Sequence, residues 1–194
     1  TLNSVFKQTY KNIEHIVVDG GSTDNTLDIL KKHKVKKKIV IKKNSSIYEA
    51  INIGIKNSTG DYILILNSDD ILNSPLVLKK IVKKIKKIKA RILLGDVCYH
   101  NNFDYKKIVR YYNARNFRPW MMFFGLMPPH TGAIIHKDIY KKYKLYDPKF
   151  KIAGDFDFFL RLFLIKNEKF INLNLCITRM RTGGVSGRNL FSHI

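Results

Sequence analysis

Paired aspartates mark three places in the sequence: Asp19 and Asp24 in the glycine turn DGGSTD, Asp69 and Asp70 at the end of YILILNSDD, and Asp155 and Asp157 in AGDFDFFLRL. Adjacent carboxylates such as Asp69 and Asp70 repel each other, and a hard divalent cation is the simplest thing that makes them tolerable. Mg²⁺ or Mn²⁺ takes oxygen ligands and is commonly held by one or two carboxylates plus the phosphates of a substrate. Side-chain alternation would send Asn67 and Asp69 one way and leave Asp70 to the following turn. The plainer alternative is that both acids cap a turn or helix before Pro75. Asp155 and Asp157 open a helical pattern, where free amides and the helix dipole favour negative charge. There Asp155 is either an N-cap or a functional acid, and Asp157 stands four residues before Arg161, the spacing of a helical ion pair. Asp19 ends an apolar run and begins a glycine turn before a helix, which suits a nucleotide phosphate. The turn lacks both the dinucleotide fingerprint and the lysine-containing phosphate loop, so Asp19 and Asp24 as simple turn and cap residues stay open.

The elements around these acids repeat strand, helix, strand through the first half. Strands are expected at 15–18, 36–41 and 62–70, and helices at 25–32, 46–56 and 75–90, the rhythm of a doubly wound α/β fold. The run from Tyr62 reads as a strand buried on both faces of a parallel sheet, with a ligand crevice at its carboxyl end. Lysines cover the outer face of the 75–90 helix, and Leu78, Ile81, Val82, Ile85 and Ile88 form its apolar stripe. Later the rhythm changes. Residues 91–99 and 106–112 read as an antiparallel pair joined at Asn101-Asn102, followed by the aromatic and methionine-rich segment 115–127, expected mainly in the core. A subset of that segment is available for a lid or a sugar-stacking wall. A strand at 131–136, a short helix, the helix of Asp155 and a strand at 169–180 complete the chain. The fold class expected is α/β, a mostly parallel central sheet covered by helices with a small antiparallel region.

At 194 residues and 22.6 kDa the chain is one moderate domain. Lysine and arginine number 36 against 15 acids, a net charge of +21 that attracts phosphate-rich ligands or an anionic membrane. The lysines are spread along the chain, so nucleic acid is not the expected partner. Cys98 and Cys176 lack metal-ligand spacing and are expected as reduced core residues. No run is apolar enough to span a bilayer and no signal peptide opens the sequence, so the expected location is cytoplasmic or peripheral. The opening, Thr1 to Gln8, enters directly on a helical pattern, as if a preceding strand were missing. Arg179, Arg181, Gly183, Gly184, Ser186 and Arg188 form a basic, glycine-rich tail suited to closing over a diphosphate, or a frayed end.

Together, SVFKQTYKNIEHIVVDGGSTDNTLDIL (Ser4 to Leu30), SIYEAINIGIKNSTGDYILILNSDD (Ser46 to Asp70), PHTGAIIHKDIY and AGDFDFFLRL resemble the family 2 glycosyltransferases of GT-A fold, especially bacterial enzymes of capsule, exopolysaccharide and lipopolysaccharide assembly. The resemblance implies a nucleotide-sugar-binding half, 1–96, and an acceptor-side half, 97–194, with the family's first strand preceding Thr1. It implies donor contacts at Asp19, Asn44, Ser46, Tyr48, Asn67 and Ser68, a Mg²⁺ or Mn²⁺ ligand at Asp69 with Asp70 second, and a general base at Asp155. The family's usual first acid is Asn67 here. Gly154 stands where the family has a glutamate before the base, so Asp157 or Arg161 is expected to take over part of the orienting work. The activity implied is inverting transfer from a nucleotide-diphosphate sugar, UDP by default, to a glycan or lipid-linked glycan acceptor, with possible contact at the cytoplasmic face of the inner membrane. A nucleotidyltransferase that makes nucleotide-sugars and a basic polynucleotide-binding module are the rival readings.

Overall fold

The computed structural model describes residues 1–100 and 107–182. The Asn101-Asn102 turn and the tail residues Gly183, Gly184, Ser186 and Arg188 lie outside the described residues.

Helix α1 (Leu2–Phe6) leads to β1 (Ile16–Asp19), α2 (Thr26–Lys32), β2 (Lys38–Ile41), α3 (Ile47–Asn57), β3 (Tyr62–Leu64), β4 (Ile71–Leu72) and α4 (Val77–Ile88). Strands β5 (Ile92–His100) and β6 (Ile108–Tyr112) follow, then 3₁₀ turns, β7 (Ala133–His136), α5 (Lys137–Tyr143), α6 (Gly154–Leu160) and β8 (Ile171–Arg181). Local chemistry explains the helix starts. Ser46 caps α3 in a reciprocal box, its hydroxyl accepting from the Glu49 amide at 3.2 Å while the Glu49 carboxylate accepts from the Ser46 amide at 2.9 Å. In α4 the apolar stripe buries Val77 and Ile81 and leaves every lysine exposed.

The expectation of a mostly parallel central sheet is corrected. The described strands form a largely antiparallel six-stranded sheet in the order β3-β7-β5-β8-β4, with β6 on β5, and a separate two-stranded parallel sheet of β1 and β2. Only β5–β8 is parallel in the larger sheet, while β3–β7, β5–β7, β5–β6 and β4–β8 are antiparallel. The run from Tyr62 is strand only to Leu64, and it pairs on one side, with β7. Its continuous apolar character has another cause. Ile63 and Ile65 pack against a core cluster built on Tyr48, Ile92, Ile135 and Phe158, and Tyr62, Leu64 and Leu66 against a second built on Val77, Ile81, Leu93 and Ile177. A strand with core on both faces needs apolar residues at every position whichever way its neighbour runs.

Two glycines let the middle of this sheet close up. A Cβ on Gly95 of β5 would lie 2.2 Å from Ile177 of β8, and one on Gly132, just before β7, would lie 2.4 Å from the Gly95 carbonyl oxygen. Cys98 and Cys176 meet across β5 and β8 as free thiols, sulfur to sulfur at 2.7 Å. Among the described residues no helix is long and apolar enough to cross a membrane.

Candidate active site

The Asp155 carboxylate meets one other candidate residue, Tyr48, together with His130. It projects from the first turn of α6, behind Ala153, which occupies the N-cap position at φ 66° without a side-chain capping bond. Asp155 is therefore not the cap. The Tyr48 hydroxyl donates to its Oδ1 at 3.2 Å, and His130 Nδ1 stands 3.7 Å from its Oδ2. Tyr48 comes from the first turn of α3, so the Ser46 capping box sets the direction of its ring. The ring is buried, stacks on Tyr146 with centroids 5.9 Å apart, and lies against Gly154 so closely that a Cβ there would fall 2.7–2.9 Å from three ring atoms. Gly154 is thus the residue that makes room for the tyrosine. Burial, and next the charge of Asp155, raises the Tyr48 phenol above its usual range, so it stays a proton donor.

His130 is brought in by the 3₁₀ turn His130–Gly132, which Gly132 allows to press against β5. Burial lowers its imidazole pKa, with the neighbouring Asp155 opposing that shift. Its Nε2 is buried without a hydrogen-bond partner. The register of β3 on β7, Leu64 opposite Ile134, sets the chain leaving β3 toward Asn67 beside the chain that arrives at β7 from His130. Asp157 differs from Asp155. Its carboxylate accepts from Arg161 Nε at 3.0 Å, and the same guanidinium donates to the Tyr143 and Leu145 carbonyls. The helical ion pair read from the sequence forms, and it ties Asp157 to structure.

Asp19 lies at the carboxyl end of β1, where its Oδ1 accepts from the Gly21 and Ser22 amides at 2.9 and 2.8 Å and its Oδ2 from the Ser22 hydroxyl at 2.7 Å. The Ser22 hydroxyl first, then the amides, hold its carboxyl below the usual range. The loop after β2 runs alongside. The Asn44 amide donates to the Gly20 carbonyl at 3.0 Å, with Asn44 itself exposed at φ 57°. Between Asn44 and Ser46 lies Ser45, whose hydroxyl is buried with no partner.

In the turn after β3, Ser68 and Asp69 are exposed, Asn67 is half-buried, and Asp70 is 1% exposed with an unpartnered Oδ2. Burial first, then the charge of Asp69, pushes the Asp70 carboxyl up to about 7. Asp69 alone of the two presents its carboxylate outward. No cluster of three or more metal-binding side chains exists among the described residues, so any cation here would depend on few protein ligands. One exposed carboxylate completed by substrate phosphates fits the way Mg²⁺ and Mn²⁺ are usually held.

Sequence reasoning grouped Asn44, Ser46 and Tyr48 together, and the structure places them on one loop and the helix turn that follows it. It missed the contact of Tyr48 with Asp155, and it missed His130 and Ser45. The residues PHTG, a histidine before a glycine at the start of a strand, were the available signal for His130.

The chain is 35% identical over 108 residues to the glycosyltransferase GlyA of Streptococcus pneumoniae, a match that covers 53% of this chain and 15% of GlyA. It superimposes on S. aureus TarS residues 1–349, solved in complex with UDP-GlcNAc, with a TM-score of 0.75 at 22% identity, covering 94% of this chain and 54% of that one. The mannosyltransferase PcManGT of Pyrobaculum calidifontis, in complex with GDP-Man and Mn²⁺, gives 0.66 at 14% identity, covering 97% and 54%. At these identities the two structures speak for the fold. The chain spans only part of its curated relatives, 55% and 62% of those in Rickettsia prowazekii and Mycobacterium bovis. The description Glycosyl transferase family 2 matches residues 1–152, well over half the sequence, and the protein belongs to that family.

Proposed function

We propose that the protein is an inverting glycosyltransferase of GT-A type, moving a sugar from a nucleotide-diphosphate donor, UDP-linked by default, to a hydroxyl of a glycan or lipid-linked glycan. The observation that carries this reading is the Asp155 carboxylate, held on one oxygen by the Tyr48 hydroxyl and faced on the other by His130. Of the two acids in α6 it is the one not consumed by an arginine. Asp155 accepts the proton of the acceptor hydroxyl as that oxygen bonds to the anomeric carbon, and the bond from that carbon to the diphosphate breaks on the opposite face. Proton removal in the same step lets a carboxylate near its ordinary pKa serve as base. Tyr48 fixes which lone pair of Asp155 faces the acceptor. Asp19, Asn44, Ser46, Asn67 and Ser68 form the donor side, with Asp19 and Asn44 at adjoining loop ends, Asn67 suited to the ribose, and Ser45 adding a free hydroxyl. Asp69 would hold Mg²⁺ or Mn²⁺, with Asp70 beneath it. When bound, that cation supplies positive charge against the leaving diphosphate.

The test is transfer over a panel of nucleotide-sugars with Asp155→Asn and Asp69→Asn. Asp155→Asn is expected to lower kcat about 10²–10⁴-fold with donor binding retained. Asp69→Asn is expected to raise the divalent-cation concentration needed for half-maximal rate. Undiminished transfer by Asp155→Asn removes the base assignment.

A further inference from the structure

One face of the protein has its aromatic residues on the outside. The 3₁₀ segment Pro119–Phe124 buries Met122 and stands on buried Phe117, yet leaves Trp120 59%, Phe123 77% and Phe124 75% exposed, followed by Leu126 at 47%. Trp120 and Phe124 pack edge to face with centroids 6.1 Å apart, so the side chains form a single knob. Gly125, at φ 74°, turns the chain back toward the core. Ordinary burial does not account for such a group, since the segment has already supplied its core anchors.

The charge around the knob identifies what covers it. No aspartate or glutamate occurs between Asp104 and Asp138, a stretch that includes Lys107, Arg110, Arg115 and Arg118. All four are exposed. Arg118 is held to the base of the knob by its own guanidinium, which donates to the Arg115 and Phe117 carbonyls at 2.9 Å. Exposed tryptophan and phenylalanine flanked along the chain by exposed basic residues match the headgroup layer of an anionic bilayer, where aromatic rings settle and each basic residue adds attraction. A second copy of the chain fits less well, because a twofold pairing of knobs would bring like-charged arginines together.

We propose that the Trp120–Leu126 knob, with Arg115 and Arg118 at its base, is a membrane-docking surface that inserts into the headgroup region of an anionic lipid bilayer. The contact does not depend on the transferase reading. If that reading holds, docking would bring the His130–Asp155 site close to the bilayer, since Leu126 lies four residues before His130.

Trp120 is the sole tryptophan of the chain, so its fluorescence reports on the knob alone. The full chain is mixed with phosphatidylcholine vesicles with and without phosphatidylglycerol. The proposal expects a blue shift, quenching by brominated acyl chains and co-sedimentation, all with the anionic vesicles. Phe123→Ser/Phe124→Ser is expected to weaken vesicle partitioning at least about tenfold at unchanged melting temperature and unchanged transfer to a water-soluble acceptor. Ile29→Ser, an exposed apolar residue on α2, is expected to change nothing. Equal partitioning of the double variant and the parent overturns the proposal, as does a Trp120 shift produced by self-association without lipid or by single-stranded polynucleotide in place of vesicles. Absence of transfer activity in the parent chain, with anionic-vesicle binding present and lost in the double variant, would count against the transferase reading and leave the docking surface standing.

Discussion

Gly154→Ala tests whether the glycine before the candidate base exists to admit Tyr48. The new methyl would lie 2.7 Å from Tyr48 Cε2, 2.8 Å from Cζ and 2.9 Å from Cδ2, well inside van der Waals contact. The ring has little room to yield, being buried and stacked on Tyr146, which is itself stacked on Phe158 at 4.5 Å. Overpacking of this kind costs about 1–3 kcal/mol. Alanine recovers part of that, about 0.5–1 kcal/mol, because it is the better helix former and Gly154 begins α6. The net expectation is a loss of about 0.5–2 kcal/mol, read as a lower urea midpoint at constant slope. In a Tyr48→Leu background two of the three crowding atoms are gone, and the same substitution should become neutral or stabilising. The double-mutant cycle therefore predicts a coupling of about 1–3 kcal/mol between residues 106 positions apart. Additivity of the two changes within about 0.5 kcal/mol would refute the reasoning.

Other substitutions probe the surroundings. Tyr48→Phe removes only the bond to Asp155 and should lower kcat more than it changes donor KM, measured by steady-state transfer. Gly132→Ala sets a methyl 2.4 Å from a backbone oxygen that cannot rotate away, and should cost at least about 2 kcal/mol in urea unfolding while displacing His130. Asp70 has a folded pKa of about 7 against 3.8 in the unfolded chain, so the folded state holds a proton that the unfolded state has lost between those values. Its contribution to stability is complete below pH 3.8 and falls as pH rises through 7, by about 1.4 kcal/mol per unit at most. Without divalent cation, urea unfolding from pH 5 to pH 8 should show that decline in the parent and a flatter profile in Asp70→Asn.

Much of this was legible in residues that act locally. The glycine turn after β1, the lysine face of α4 and the Asp157–Arg161 pair each depend on neighbours a few positions away, and sequence spacing reports such neighbours directly. Strand direction was not legible. Tyr62 to Leu66 is apolar because it has a core on each side, and that pattern is the same beside a parallel or an antiparallel partner. Tyr48 was nominated through the motif that carries it, whereas its contact with Asp155 depends on a fold that joins positions 107 residues apart. The aromatic segment 115–127 divides between core and surface because a 3₁₀ turn puts Met122 inward and Phe123 and Phe124 outward, a division that hydrophobicity alone does not encode.

Strand β4, which begins at the residue after Asp70, reaches the rest of the sheet only through β8, near the far end of the described chain. During synthesis the acidic turn therefore emerges from the ribosome about a hundred residues before the strand that anchors its exit. A nascent chain that has not yet delivered Ile171–Arg181 can hold the turn only from its N-terminal side, where the Thr1 hydroxyl donates to the Ser68 and Asp70 carbonyls and the Ser4 hydroxyl accepts from the Leu72 amide. The strand that pins the exit of the turn should become ordered only once Ile171–Arg181 has been delivered.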